Sequence, residues 1–469
     1  MSDQLWSKSA TELAGLVRSK VVSATEVVEA HLQRIEDVNP ELNAIAVVLA
    51  DDARQSARIA DEKTRTEPDQ LGRLHGVPIT LKVNIDLVGS ATSDAVPAFK
   101  DFYPPMNTPL VDRLLGEGAI VVGRTNMSDM GMRMTTDSTL HGLTRNPWHP
   151  GRTAGGSSGG EGAALASGMS ALGVGNDLVG SLRNPAHCCG ISTLKPTPGR
   201  IPWADSILPP DGPLSFQMML VHGPMARQVA DVRLGMEIMS GAHPRDPYSV
   251  DVPLYRADSN QPFKVAVMAA PPGAPTDPEV SSVVRKAGEA VAAAGYEVDE
   301  IDAPEYLETR QIWLDFLMTE VNVLQDHITE AMGPAGRQFL RGFLDHAGPL
   351  DLPGYIDLFV RRRRMSRVWN DFFQEYPVII APTWLDVAFE HDWDLKSVAD
   401  TVDNCGPIVP ANVLGLPAAV TFGGLAKGMP VGVQCIAAAF HDDQAMQVAE
   451  VIEAAVGATR PVSPFINAG

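Results

Sequence analysis

Two serines, each in a glycine-rich turn, constrain this chain more than any other feature of its sequence. Ser157 lies in the run Gly-Gly-Ser-Ser-Gly-Gly at 155–160, and Ser181 follows Gly180 further along. Glycine lets the backbone adopt positive φ and approach other groups closely, so such turns display a hydroxyl beside unobstructed amides. A nucleophile next to donors for a developing oxyanion is what acyl-transfer enzymes require. Neither turn contains a histidine that could serve as the base.

A lysine upstream of both turns is the candidate base. Aliphatic residues at 77, 79, 81 and 83 alternate with other residues, which predicts a β-strand over 76–83 with Lys82 on the opposite face. A lysine at the end of such a strand is usually a solvated surface charge. If its amine is instead desolvated, its pKa falls and the neutral amine can deprotonate a hydroxyl. The residues alone leave both interpretations open.

Taken together, these segments resemble the amidase signature family, and further motifs extend the likeness along most of the chain. The matching motifs are His75–Pro78 with Lys82, Gly123–Asp129, Gly155–Gly160, Gly180–Ala186, Leu194–Thr197, Gly415–Ala418 and Gly428–Gln434.

The resemblance implies a fold and a division of the chain. We expect a single α/β/α domain over residues 1–469, in which helices flank a mixed central β-sheet. Alternating helix and strand patterns independently indicate an α/β class. The catalytic motifs lie within residues 65–205, and residues 300–400 are the variable segment that shapes the substrate pocket in this family.

The resemblance also implies a catalytic device. Ser181 would be the nucleophile that forms an acyl-enzyme, and Lys82 would be the terminal base. Ser157, joined to Gly156 by a cis peptide bond, would pass protons between them. The oxyanion hole would consist of the backbone amides of Leu178, Val179 and Gly180.

One position departs from the family's Asp-x-Gly-Gly-Ser pattern, because Val179 stands where its first glycine is expected. Valine keeps the backbone amide but disfavours positive φ. We therefore expect an oxyanion hole that either survives with a narrower mouth or differs in geometry. Asp177 and Arg183, which flank this turn, are expected to hold the loop backbone and to take no part in proton transfer.

The predicted activity is hydrolysis of a small-molecule amide, anilide or carbamate, without a cofactor or metal ion. Aromatic and methionine side chains at helical spacing belong more often to a core than to a pocket. With that reservation, the candidate substrate contacts are Met132, Gly156, Trp313, Phe316, Leu317 and Trp384.

Composition narrows the possible partners and location. The formal net charge of −20 disfavours nucleic acid and anionic membranes as partners. The sequence shows neither a basic-then-apolar leader nor the apolar run of about 18 residues that a spanning helix needs, so a cytoplasmic protein is expected. Its four cysteines are too few for a disulfide framework. The oligomeric state is open, with a homodimer as one candidate.

Two helical segments carry further predictions. Ser23 and Glu26 form a capping box, and Asn39-Pro40 is expected to end the helix that begins there. Residues 303–376 show long helical patterns and include the basic run Arg361–Arg364. We interpret that run as a solvated helix face that balances nearby acids, with a phosphate or RNA site as the alternative.

Three other functions fit parts of the sequence. The A subunit of a glutamyl-tRNA amidotransferase is similar over the same motifs and would need partner chains. An α/β-hydrolase would use Ser157 in a Gly-x-Ser-x-Gly pattern, provided that a strand precedes it. A catalytically inactive relative could act as a binding protein, which only Val179 favours.

Overall fold

The computed structural model describes residues 2–206, 212–255, 262–345 and 348–464. Its strands, in chain order, are β1 (Ile45–Val48), β2 (Pro78–Lys82), β3 (Ile120–Thr125), β4 (Asp137–Ser138), β5 (Gly142–Leu143), β6 (Leu172–Asp177), β7 (Ser192–Lys195), β8 (Val221–Ala226), β9 (Lys264–Val267), β10 (Glu297–Glu300), β11 (Val378–Pro382), β12 (Ala418–Ala426) and β13 (Met429–Ala437).

The helices lie between and after these strands. They are α1 (Ala10–Arg18), α2 (Ala24–Leu42), α3 (Ala50–Thr66), α4 (Pro109–Gly116), α5 (Gly159–Ala166), α6 (Arg183–Cys189), α7 (Leu214–Met219), α8 (Val229–Met239), α9 (Pro278–Ala293), α10 (Tyr306–Ala331), α11 (Pro334–Leu344), α12 (Leu352–Glu375), α13 (Trp393–Lys396), α14 (Val398–Asn404), α15 (Val409–Val413) and α16 (Asp442–Val456). Among the described residues, no helix is both long and apolar enough to cross a membrane.

Eleven of the strands form one mixed sheet in the order β1-β3-β2-β6-β8-β7-β12-β13-β11-β9-β10, and β4 pairs with β5 separately. β2 runs parallel to both β3 and β6, whereas β8 runs antiparallel to β6 and β7. Helices cover the sheet, which confirms the predicted α/β/α fold with a mixed central sheet.

The predicted strand at 76–83 is β2, and it lies in the interior of the sheet. All five of its residues are buried, including Lys82. A strand covered on both faces carries no solvent-facing side. The alternation in the sequence therefore predicts the strand correctly, but the solvated interpretation of Lys82 is wrong.

The helix that begins after Ser23 has the predicted start and a different end. Ser23 and Glu26 form the capping box, but α2 continues through Pro40 to Leu42. Pro40 has no N–H to donate to the Glu36 carbonyl, and only two residues of α2 follow it, so the interruption falls at the end of the helix. Asn43 then ends the helix in the left-handed conformation, with its N–H donated to the Asn39 carbonyl.

The predicted helical segment at 303–376 consists of α10, α11 and α12, and the basic run lies on α12. Arg361 pairs with Glu308 at 2.8 Å and with Asp315 at 3.3 Å. Arg364 lies 3.4 Å from Glu305. These pairs agree with the interpretation of the run as a helix face that balances nearby acids.

Helix α5 begins against the neighbouring backbone, which predicts a steep cost for adding one methyl group. A Cβ at Gly160 would lie 2.4 Å from the Asn126 carbonyl oxygen, and backbone atoms cannot move aside cheaply. We expect Gly160→Ala to lower the free energy of unfolding by about 1–3 kcal/mol in a denaturant titration.

The matched control is Gly15→Ala in α1, where a Cβ would meet no atom within 4 Å. Because alanine loses less entropy than glycine in a helix, this change should raise stability by about 0.5–1 kcal/mol. Equal stabilities of the two variants would contradict the close approach of α5.

Candidate active site

The topology of the sheet brings the candidate lysine to the serine turns. Lys82 is the last residue of β2, and β6, its parallel neighbour, ends at Asp177 just before the turn that carries Ser181. The ends of parallel strands meet at one edge of a sheet, where sites commonly form. The other serine, Ser157, lies two residues before α5, and its peptide bond to Gly156 is cis, as the resemblance implies.

Lys82 and Ser157 are in hydrogen-bond contact. Lys82 Nζ lies 2.8 Å from Ser157 Oγ, and it donates to Asn176 Oδ1 at 2.7 Å. The lysine is fully buried and Ser157 is 2% exposed. The two side chains therefore interact without competing water.

Burial is also what shifts the ionisation of this lysine. Desolvation of the ammonium form lowers the pKa of Lys82 to about 7. Three carboxylates in the surroundings act in the opposite direction and limit the decrease; they belong to Asp94, Asp177 and Glu161. A substantial fraction of Lys82 is consequently uncharged at neutral pH.

The second serine turn lies against the first. The N–H of Ser158 donates to the carbonyl oxygen of Ser181 at 3.3 Å, so the backbone joins the two turns. Ser181 is 8% exposed. In the part of the chain that the structure describes, its hydroxyl has no hydrogen-bond partner, which leaves it free to meet a ligand.

The buried carboxylate of Asp177 holds the turn around Ser181 through hydrogen bonds. Its carboxylate accepts hydrogen bonds from the N–H groups of Gly180 at 2.7 Å and Leu182 at 3.3 Å, and from the Arg183 guanidinium at 3.0 Å. Burial acts to raise the pKa of Asp177, but the Arg183 charge and the hydrogen bonds together lower it to about 2. Asp177 and Arg183 thus hold the loop, as the sequence predicts.

Residues from the C-terminal third of the chain complete this network. Arg183 donates to the Ile408 carbonyl oxygen at 2.7 Å and to Asn412 Oδ1 at 2.6 Å. The amide group of Asn412 in turn donates to Asp177 Oδ1 at 2.9 Å. The turn is therefore fixed by contacts that no short sequence motif contains.

The predicted oxyanion donors are not equivalent in the structure. The N–H of Gly180 is already donated to Asp177, which argues against the prediction that it serves an oxyanion. The amides of Leu178 and Val179 have no hydrogen-bond partner among the described residues. The positive φ of this turn, 85°, belongs to Gly180, so Val179 does not need the conformation that valine disfavours.

The predicted substrate contacts occupy two kinds of position. Gly156 donates its N–H to Asn184 Oδ1 at 3.0 Å, so that amide serves the loop. The aromatic and aliphatic candidates belong to, or pack against, a hydrophobic cluster that includes side chains of α10, α11 and α12. We call it the helical cluster. It buries Trp313, Phe316, Leu317 and Trp384, and Met132, Leu178 and Val179 pack against it.

This arrangement agrees with a family match over most of the chain. A model of the Amidase family matches residues 26–446. The chain belongs to the Amidase family. The matched region includes the lysine, both serine turns and the C-terminal residues that support them.

Three similar proteins illustrate the relationship. An indoleacetamide hydrolase of Bradyrhizobium diazoefficiens is 40% identical, over 97% of this chain and 87% of its own length. In a Synechococcus strain, the A subunit of glutamyl-tRNA(Gln) amidotransferase is 31% identical, over 96% of this chain and 98% of its own. The structure of 6-aminohexanoate cyclic dimer hydrolase is 28% identical, with a TM-score of 0.83, over 97% of this chain and 99% of that one. The amidase is accordingly a hydrolase that cleaves amide bonds.

The α/β-hydrolase alternative fails on local structure as well as on family. That mechanism needs a strand immediately before the serine turn. The residues between Thr153 and Ser157 adopt no strand, and β6 lies after this turn. Residues 155–159 therefore match the Gly-x-Ser-x-Gly pattern only because the serine turn is rich in glycine.

Sequence reasoning missed several residues of the site. Asn176 contacts Lys82, and Asn84 contacts Asn176 at 3.0 Å. Gly131 approaches so closely that a Cβ there would lie 3.3 Å from Ser157 Oγ. Asn84 follows Lys82 by two residues but lies in a turn beyond the end of β2, so strand periodicity gives no signal for it.

The buried ion pair under the turn predicts a large loss of stability when one partner is removed. We expect Arg183→Leu to cost about 3–5 kcal/mol in the free energy of unfolding, because Asp177 would remain buried without its counter-charge. The control is Arg233→Leu, which breaks a more exposed pair with Glu450 and should cost about 1 kcal/mol or less. Similar losses in the two variants would contradict the role of Arg183.

Proposed function

We propose that the amidase cleaves the C–N bond of a small-molecule amide through an acyl-enzyme on Ser181, with Ser157 and Lys82 as the proton relay. The observation that carries this proposal is the 2.8 Å contact between Lys82 Nζ and Ser157 Oγ in a fully buried setting. A lysine whose pKa is about 7 can accept a proton from a hydroxyl, whereas a charged ammonium cannot.

Acylation would move one proton along the relay. Ser181 Oγ, which makes no hydrogen bond to the described residues, would turn towards Ser157 as it bonds to the substrate carbonyl carbon. Its proton would then pass to Ser157 Oγ, and the proton of Ser157 to Lys82 Nζ. The carbonyl oxygen becomes an oxyanion, for which the unpaired amides of Leu178 and Val179 are the proposed donors. When the C–N bond breaks, the relay runs in reverse and the leaving amine takes up the proton.

Deacylation would repeat the same steps with water. Water attacks the ester carbonyl carbon and gives its proton to Ser157, which again gives its own proton to Lys82. The carboxylic acid leaves, and the returning proton restores the Ser181 hydroxyl. No step requires a group beyond the relay, the turn amides and one water molecule.

The surroundings of the turn favour a substrate with an aromatic acyl group. Leu178 and Val179 pack against the helical cluster, which contains Trp313, Phe316 and Trp384. Apolar and aromatic side chains around a few polar groups are typical of sites for small ligands. Since a relative that is 40% identical is an indoleacetamide hydrolase, we propose arylacetamides as the substrate class.

The first test compares a nucleophile variant with a matched serine control. We expect the wild type to release ammonia from indole-3-acetamide, and Ser181→Ala to reduce kcat by about 10⁴-fold or more because the acyl-enzyme cannot form. Ser192→Ala, at a buried serine in β7, should keep most of the activity. An active Ser181→Ala would contradict the mechanism.

The same assay separates the amidotransferase alternative. That function predicts hydrolysis of glutamine only in the presence of partner chains, and no activity of the isolated chain on arylacetamides. Turnover of indole-3-acetamide by the isolated chain would exclude it as the main activity.

The ionisation of Lys82 predicts the direction of the pH dependence. The active form carries the uncharged amine of Lys82. Because the pKa of Lys82 is about 7, this form is the minor one at lower pH. We expect kcat/KM to fall by about tenfold per pH unit below pH 7 and to level off above it. Lys82→Met should abolish turnover at every pH. A flat profile of the wild type from pH 5 to pH 8 would contradict the role of the neutral lysine.

A further inference from the structure

The start of α5 contains a capping-box sequence that the structure does not use as a capping box. Ser158 and Glu161 have the Ser-x-x-Glu spacing in which the glutamate accepts a hydrogen bond from the backbone N–H of the serine. Ser158 is indeed the N-cap residue of α5, but its side chain makes no capping hydrogen bond. Its N–H donates to the carbonyl oxygen of Ser181 at 3.3 Å. The N–H that would complete a capping box therefore holds the nucleophile turn.

The carboxyl group of Glu161 faces the sheet. It accepts hydrogen bonds from the hydroxyl of Thr125, on β3, at 2.6 Å and from the hydroxyl of Thr80, on β2. Thr80 is also hydrogen-bonded to the hydroxyl of Ser170 at 2.8 Å. Glu161 is fully buried, and a buried carboxyl group without hydrogen-bond partners would be costly. Two hydroxyls on neighbouring strands therefore satisfy it.

A third strand leaves room for this carboxyl group. On β6, which pairs with β2, Gly173 lies opposite Thr80. A Cβ at Gly173 would lie 1.8 Å from Glu161 Oε1, so a larger residue there would displace the carboxyl group. The first turn of α5 is therefore seated on the neighbouring strands β3, β2 and β6. We call the contacts of Glu161 with Thr80, Thr125 and Gly173 the seat of α5.

The seat and the relay share the same strands and the same helix start. Thr80 precedes Lys82 by two residues on β2, so strand periodicity places both side chains on one face. Thr125 is the register partner of Lys82 on β3. Ser157, which lies 2.8 Å from Lys82 Nζ, precedes Glu161 by four residues. The contacts of Glu161 thus fix the start of α5 relative to the strand that carries the lysine.

We infer that Glu161 is a positioning residue of this amidase, whose carboxyl group seats α5 on the sheet and so holds Ser157 Oγ against Lys82 Nζ. Because that carboxyl group faces the sheet, it also leaves the Ser158 N–H for the turn of Ser181. This inference rests on the proposed function, because it assigns Glu161 a role in the relay from Ser181 to Lys82. Glu161 touches no reacting atom and acts through the geometry of the relay.

Three variants separate positioning from a loss of stability. Glu161→Ala removes both hydrogen bonds of the seat. Glu161→Gln is the conservative variant, because a carboxamide of the same length can accept from one hydroxyl and donate to the other. Asp231→Ala is the control. Asp231 is 1% exposed and accepts hydrogen bonds from the Thr11 hydroxyl at 2.7 Å and the Ala10 N–H at 2.8 Å, so it joins α1 to α8 through bonds that involve no residue of the relay.

The experiment measures kcat and KM with indole-3-acetamide for the wild type and the three variants, with each kcat expressed per folded molecule. We expect Glu161→Ala to lower kcat by about 10²-fold and to change KM by less than about threefold, because Ser157 is displaced from Lys82. Glu161→Gln should restore kcat to within about fivefold of the wild type, and Asp231→Ala should keep it within about twofold. A kcat of Glu161→Ala equal to that of Asp231→Ala, or no restoration in Glu161→Gln, would overturn the inference.

Thr125→Val provides a second test that keeps the glutamate and removes one donor, and it serves if Glu161→Ala does not fold. It should lower kcat by about tenfold with little change in KM. Its matched control is Thr193→Val on β7, where the hydroxyl donates to the Pro224 carbonyl at 2.8 Å. Equal kcat values in these two variants would overturn the inference. Failure of the proposed function has a different signature, because the wild type would then show no turnover that depends on Ser181.

Discussion

An amine buried in the middle of a sheet, in contact with a serine hydroxyl, is the constraint on which the rest of this structure depends. Transfer of an ammonium from water into a protein interior is costly, so burial favours the neutral amine of Lys82. The residue is fully buried because β2 lies between β3 and β6, both parallel to it, with helices covering the sheet. The sheet thus places a desolvated amine beside Ser157, which is why Lys82 is the candidate base.

The geometry of the site is maintained by residues that are distant in the sequence. Asn412 contacts the carboxylate that organises the turn of Ser181. A second long-range contact involves Gly333, which lies between α10 and α11 and donates its N–H to Asp129 Oδ2 at 2.7 Å. Asp129 is two residues before Gly131, the glycine that approaches Ser157 Oγ. The helical segment is therefore tied to the loop beside the relay. A substrate that packs against these helices would contact the same framework that positions the serines.

Much of the fold and of the candidate site could be predicted from the sequence, and the features that could not be predicted depend on contacts between distant residues. Alternation of aliphatic residues predicted β2, and glycine content with the family motifs predicted both serine turns. The burial of Lys82 could not be read locally, because it arises from strands that pair across long sequence separations. The donation of the Gly180 N–H to Asp177 depends on a side-chain rotamer that a motif does not specify. The contact between Lys82 and Asn176 joins the ends of two strands that are 94 residues apart, so no local sequence pattern specifies it.

The central claim is that the relay from Lys82 through Ser157 activates Ser181 as the nucleophile. The most direct measurement is rapid quenching of the enzyme with an activated aryl ester, followed by mass spectrometry of the digested protein. We expect one acyl group on the peptide that contains Ser181, formed more slowly at pH 5 than at pH 8. An acyl group on Ser157 instead would contradict the relay. Labelling of Ser181 at the same rate in the Lys82→Met variant would also contradict it.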